Sequence, residues 1–144
     1  MYGAVIGVFL KQKLSNYPLT IVGNGKQKRD FLYISDVCEA FYKASISKYK
    51  NEIFNLGRGK AETINYLSSL ISNKKKYIKW RPGEPFKTEA NIKKIKKYLK
   101  WNPKIDLKSG IKEVLKDIKY WKNAPLWTQK KIKLATKNWI KYLK

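Results

Sequence analysis

Histidine is absent from the 144 residues. That removes the usual general base near neutral pH, the commonest metal ligand and every Ser-His or Cys-His triad. A single cysteine, Cys38, leaves no intrachain disulfide and no zinc cluster, so no metal site is expected. Cys38 falls on what reads as the apolar side of a helix, where buried packing is the expectation, and it fits a reducing cytoplasm. No apolar run approaches ~18 residues and no signal-peptide pattern opens the chain, so neither a transmembrane span nor a leader is expected, and the location implied is cytoplasmic. Acidic residues are scarce as well, 10 against 33 basic, for a formal charge of +23. Arginine is scarcer still: Arg29, Arg58 and Arg81 stand among lysines.

What is present is a globular composition, 43% hydrophobic and 14% aromatic, long enough for one domain with a core. The charge is uneven. Residues 1–73 hold 10 basic and 5 acidic side chains, and residues 74–144 hold 23 and 5. Such a balance invites a polyanion, whether nucleic acid, membrane surface or phosphate-bearing substrate. A background so dominated by lysine reads instead as solvated surface, with nucleic acid bound only nonspecifically at low salt. Against that background an arginine marks a place where a planar five-donor fork does what a point charge cannot.

Apolar residues run almost unbroken from residue 2 and predict a helix to Leu14, without the polar lead-in of an ordinary domain start. Gly3 and Gly7 suggest close packing on a neighbour. A turn at 16–18 leads to a buried strand, 19–22, and Gly23-Asn24-Gly25 predicts a tight turn with positive φ. Residues 29–34 continue extended. Ser35 or Asp36 is expected to cap a helix with Val37, Ala40, Phe41 and Ala44 on its apolar face. A strand over 52–57 is followed by a helix capped at Thr63, bearing Leu67, Leu70 and Ile71. A strand at 77–80 then leads to the loop 81–84. Thr88 is expected to open a helix with Ile92, Ile95 and Leu99. Residues 106–121 form another helix, with Leu107, Ile111, Leu115 and Ile118 on one face. The tail, 125–144, reads as one amphipathic helix with Ile132, Ala135, Trp139 and Leu143 on a shared face. Docking on the domain is favoured over lying on a membrane.

Two short motifs carry candidate chemistry. A glycine turn followed by Arg29 puts a charged fork where a ligand can approach backbone; a surface pair of Arg29 with Asp30 or Asp36 is equally compatible with the spacing. Arg81-Pro82-Gly83-Glu84 places a cation and a carboxylate on a rigid loop, suited to a phosphate and to sugar hydroxyls. Gly57-Arg58-Gly59 begins like a dinucleotide fingerprint, but Glu62 stands where its third glycine belongs, so no cofactor loop is assigned and Arg58 is expected to be structural.

Residues 18–37, PLTIVGNGKQKRDFLYISDV, resemble the extended short-chain dehydrogenase/reductases, the NAD-dependent nucleotide-sugar epimerases and dehydratases. Further matches follow in family order: Ile53-Phe54-Asn55-Leu56-Gly57, Arg81-Pro82-Gly83-Glu84, Leu99-Lys100-Trp101-Asn102-Pro103, and Leu107 to Ile111. Tyr2 to Phe9 and the tail from Trp121 to Trp127 resemble bacterial UDP-glucose 4-epimerases. The likeness covers essentially the whole chain.

The resemblance implies an α/β fold that is the C-terminal, substrate-binding portion of such an enzyme. Residues 1–34 and 58–105 would form the substrate subdomain, 35–57 would return to the Rossmann layer, and 106–144 would be C-terminal helices. NAD would bind the N-terminal part, which this chain lacks, so no cofactor-binding residue is assigned. None of the tyrosines is followed four residues later by lysine, so the catalytic Tyr-x-x-x-Lys pair is missing and no catalytic residue is assigned. The chain would be inactive alone.

The implied substrate contacts are Arg29 and Arg81 to a diphosphate, Glu84 to the ribose, and the strand carrying Thr20 and Val22 to the base. Asn24 replaces the family's usual aspartate, compatibly with left-handed geometry, and Lys100 replaces a glycine. The expected partners are a nucleotide-diphosphate sugar and a separate Rossmann half or a second copy, because 35–57 and residues 2–10 would otherwise leave apolar surface uncovered. A cationic polyanion-binding protein and a non-functional gene fragment are the alternatives.

Overall fold

The computed structural model describes residues 4–142. Helix α1 (Val5–Leu14) leads into strand β1 (Leu19–Val22), which is buried along its whole length. Strand β2 (Lys28–Arg29) precedes α2 (Ile34–Ser45). Strand β3 (Glu62–Thr63) runs straight into α3 (Ile64–Ile71), and β4 (Lys75–Ile78) follows. The remainder is helical: α4 (Lys93–Leu99), α5 (Leu107–Lys116), a 3-10 turn (Ile118–Trp121), α6 (Gln129–Ala135) and α7 (Lys137–Tyr142).

β1 pairs in parallel with β4, from Leu19 opposite Lys75 to Val22 opposite Ile78. β2 pairs antiparallel with β3, Arg29 opposite Glu62. Two strands make a marginal sheet on their own. Here α1, α3 and α5 close over β1, burying Phe9, Leu19, Ile21, Leu67, Ile71 and Ile111 in one core. A second core gathers Ala40 of α2 with Ile92, Ile95, Leu99 and Trp101.

Two aspartates of the 29–37 motif hold segments together. Asp30 accepts the backbone N–H groups of Arg58, Gly59 and Ala90 at 2.8, 3.0 and 3.0 Å. Asp36 is buried and accepts those of Lys104 and Ile105 at 3.1 and 3.0 Å. Neither meets Arg29. Asp36 therefore lies in the first turn of α2 rather than capping it; the N-cap position is Tyr33. Cys38 is exposed, not buried, because it projects to the side of α2 opposite Asp36 and Ala40.

Other boundaries move for identifiable reasons. Within the expected strand 52–57 only residues 53–56 alternate outward and inward, with Ile53 83% exposed, and no described strand lies beside them, so they form no ladder. β4 occupies 75–78 rather than 77–80, since β1 ends at Val22 and the N–H of the next residue, Gly23, closes on Ile78 O at 2.8 Å. α4 starts at Lys93, not Thr88, because the Thr88 and Ala90 N–H groups are drawn to Lys28 O and to Asp30. The helix expected over 106–121 is capped by Asp106, whose side chain accepts from Ser109 N, and it breaks at Asp117.

The tail is two helices. The buried Thr136 hydroxyl donates back to Ile132 O at 2.9 Å, a competition that bends helices. Thr136 rather than Ala135 turns inward beside Ile132, and the tail docks on the domain. Leu143, like Met1, Tyr2 and Gly3, lies outside the described residues.

Two glycine expectations hold. An added Cβ on Gly7 would come within 2.6 Å of the Trp121 ring. Gly23 and Gly25 adopt φ of 61° and 71°; Asn24 does not share this geometry and instead accepts from Lys26 N. The apolar start is not left uncovered where it is described, since Val8, Phe9 and Leu10 are buried. α2 is different: Phe41 and Ile46 are 68% and 67% exposed.

Lys100 ends α4 at φ 49° and ψ 34°, left-handed backbone that disfavours a side chain. Lys100→Gly is expected to stabilise the chain by about 0.5–1 kcal/mol, read as a higher urea midpoint at unchanged slope. The Lys43 ammonium would keep its bond to the residue-100 carbonyl.

Candidate functional site

The five residues singled out for substrate contact line one cleft. Thr20 and Val22 of β1 form its floor with Phe9, while Arg29, Arg81 and Glu84 form its polar side. Backbone bonds of Lys28 N to Phe86 O and of Thr88 N to Lys28 O lay β2 beside the segment that follows the loop 81–84, within reach of Arg29. That loop turns at Gly83, φ 71°, which brings Glu84 back over Arg81.

A single carboxylate joins the two forks. Arg29 Nη2 donates to Glu84 Oε1 at 3.2 Å, and Arg81 Nε donates to Glu84 Oε2 at 3.0 Å. The three side chains are 21%, 10% and 13% exposed, so the cluster is shielded but reachable. Arg29 Nη1 also donates to Lys28 O at 2.8 Å, which orients its plane. Among the described residues both guanidiniums meet this one carboxylate in a partly desolvated cleft, the setting in which charge-assisted hydrogen bonds to an anion gain strength.

Sequence reasoning missed two glutamines. Gln12 of α1 is fully buried; its Nε2 donates to Thr20 Oγ1 at 2.8 Å and its Oε1 accepts from Thr20 N at 3.1 Å. Gln27 Nε2 donates to Val22 O at 2.9 Å, and its buried Oε1 has no hydrogen-bond partner among the described residues. The β1 groups expected to face a base are thus already met by side chains. The available signal was a neutral amide between two lysines, at 11–13 and again at 26–28.

Arg58 plays no part in the cleft. Its backbone N–H, with that of Gly59, is taken by Asp30. A pyrophosphate needs such amides free at the opening of a helix, and α3 opens only at Ile64, capped by Thr63. The Gly57–Gly59 segment therefore does not fit a dinucleotide loop. Among the described residues no group of His, Cys, Asp and Glu could hold a metal, and no helix is long and apolar enough to cross a membrane.

Comparison with known proteins matches this geometry to a family. Residues 1–57 match the model of the NAD dependent epimerase/dehydratase family. A putative UDP-glucose 4-epimerase of Methanocaldococcus jannaschii is 40% identical over 117 residues, which are 77% of this chain and 37% of that protein. The crystal structure of UDP-glucuronic acid 4-epimerase from Bacillus cereus, in complex with UDP-glucuronic acid and NAD, superposes with a TM-score of 0.74 at 32% identity, covering 81% of this chain and 40% of the other. UDP-glucose 4-epimerase of Thermotoga maritima, solved with UDP-glucose, gives 0.73 at 30% identity over 84% and 40%. The chain belongs to the NAD dependent epimerase/dehydratase family with the α/β fold of the short-chain dehydrogenase/reductases, and it corresponds to the C-terminal part of its relatives, spanning about two-fifths of their length.

Proposed function

We propose that the chain is the nucleotide-sugar-binding portion of an NAD-dependent epimerase/dehydratase, of the 4-epimerase type. The convergence of Arg29 and Arg81 on Glu84 carries this reading. A diphosphate offers each guanidinium a two-point acceptor and displaces the shared carboxylate, which is then free to accept from ribose hydroxyls. Thr20 and Val22 line the wall on which the base would lie.

The cleft encloses about 60 Å³, against roughly 300–1,000 Å³ for a complete small-molecule site. That difference, the exposed face of α2 and the unpaired strand-like segment 52–57 favour a second half that closes over the cleft. Hydride transfer, with its tyrosine–lysine pair and NAD, is assigned to that half, and this chain alone is inactive. A second copy of the chain is the alternative cover.

A second reading, polyanion binding, rests on the charge of +23. Titration with UDP, UDP-glucose and single-stranded DNA from 0.05 to about 0.3 M salt separates the two. The proposal expects saturable binding of UDP and UDP-glucose that survives about 0.15 M salt, while DNA binding collapses with a steep slope. DNA binding that persists while UDP shows none would overturn it.

A further inference from the structure

The loop 81–84 is gripped from a second side, by the C-terminal tail. Trp139 of α7 donates its indole Nε1–H to Pro82 O at 3.0 Å. The same ring lies beneath Arg81, with the guanidinium carbon 5.3 Å from its centroid. One side chain thus holds two consecutive residues of the loop that carries a fork and its carboxylate. The support beneath it is fixed: Ile132 and Thr136 are buried, and Ile140 N returns to Thr136 O at 3.0 Å.

We infer that Trp139 is a positioning residue for Arg81, so that the tail sets the affinity of the cleft for a diphosphate. The inference rests on the reading of Arg81 as a phosphate fork. The physical basis is a division of the guanidinium between two partners. A cation–π contact engages its face, whereas carboxylate or phosphate engages its edge, so the indole orients the fork without competing for its donors. The bond to Pro82 O fixes the loop backbone, and its loss would let Arg81 and Glu84 drift together. Trp139 is 38% exposed, so the greater part of its ring is covered, and the thermal unfolding of each variant separates a loss of packing from an effect on the loop.

The test compares wild type, Trp139→Phe and Trp139→Leu at about 0.15 M salt, after thermal unfolding has shown each to be folded. Trp139→Leu is expected to weaken UDP binding about tenfold, and Trp139→Phe, which keeps the ring face but not the N–H, about threefold. In wild-type protein labelled with ¹⁵N, UDP should shift the Trp139 indole N–H resonance, and uridine should leave it in place. Unchanged UDP affinity in Trp139→Leu, or an indole resonance that uridine moves as far as UDP does, overturns the inference while leaving the proposed function standing. Absence of UDP binding by the wild type overturns both.

Discussion

Asp36→Ala is expected to lower the unfolding free energy by about 3 kcal/mol, seen as a fall in the urea midpoint by tryptophan fluorescence. The carboxylate is 2% exposed and accepts two backbone N–H groups, Lys104 and Ile105, through one oxygen. Alanine would leave both donors without that partner in a part-buried setting. The bond from Trp101 Nε1 to the residue-36 carbonyl, 3.0 Å, is to backbone and would survive. Asp36→Asn keeps one acceptor at the same place and should cost about half as much. An ordinary domain has only about 5–15 kcal/mol in hand, and this one leaves the outer face of α2 uncovered. The alanine variant should therefore populate unfolded chains near ambient temperature. A loss below about 0.5 kcal/mol would mean that water replaces the carboxylate without penalty.

The second large effect lies in the cleft. Arg29→Lys with Arg81→Lys preserves the net charge of +23 and changes only the geometry of the donors. Each lysine offers a point charge where the arginine offered a fork. Losing one charge-assisted hydrogen bond at each site removes about 1.5 kcal/mol or more apiece, so the pair should weaken UDP binding about a hundredfold. Glu84 would still find cations nearby, so the fold should change little. Because the many lysines remain, any attraction to DNA or heparin-like polymers should be untouched, which separates fork recognition from bulk charge.

The strand Leu19–Val22, the glycine turn and the helices capped at Thr63 and over Leu107–Ile111 were legible because local pattern and final packing agree there. The co-location of Arg29, Arg81 and Glu84 was legible through motif resemblance. Nothing in the spacing alone joins residues 29 and 84, and the bond between them is closed by the backbone bonds of Lys28 with Phe86 and Thr88 and by the turn at Gly83. Within 52–57, residues 53–56 have strand periodicity but no neighbouring strand among the described residues, and a ladder cannot be made by one strand. The start of α4 and the position of Asp36 were misread because backbone donors at Thr88, Ala90, Lys104 and Ile105 are claimed by distant acceptors. Cys38 was misplaced by assigning α2 a wider buried face than it has. The contact of Trp139 with Pro82 was invisible for the same reason as the Arg29–Glu84 pair: it joins residues 57 apart in sequence.

The most direct test of the account is a calorimetric titration of UDP into wild-type protein and into the Arg29→Lys, Arg81→Lys double variant, both at about 0.15 M salt. Saturable binding is expected in the wild type, and an affinity about a hundredfold lower in the double variant, with thermal unfolding nearly unchanged. Equal affinity in the two proteins would show that charge alone attracts the ligand, and would contradict the assignment of Arg29 and Arg81 as the forks of a diphosphate site.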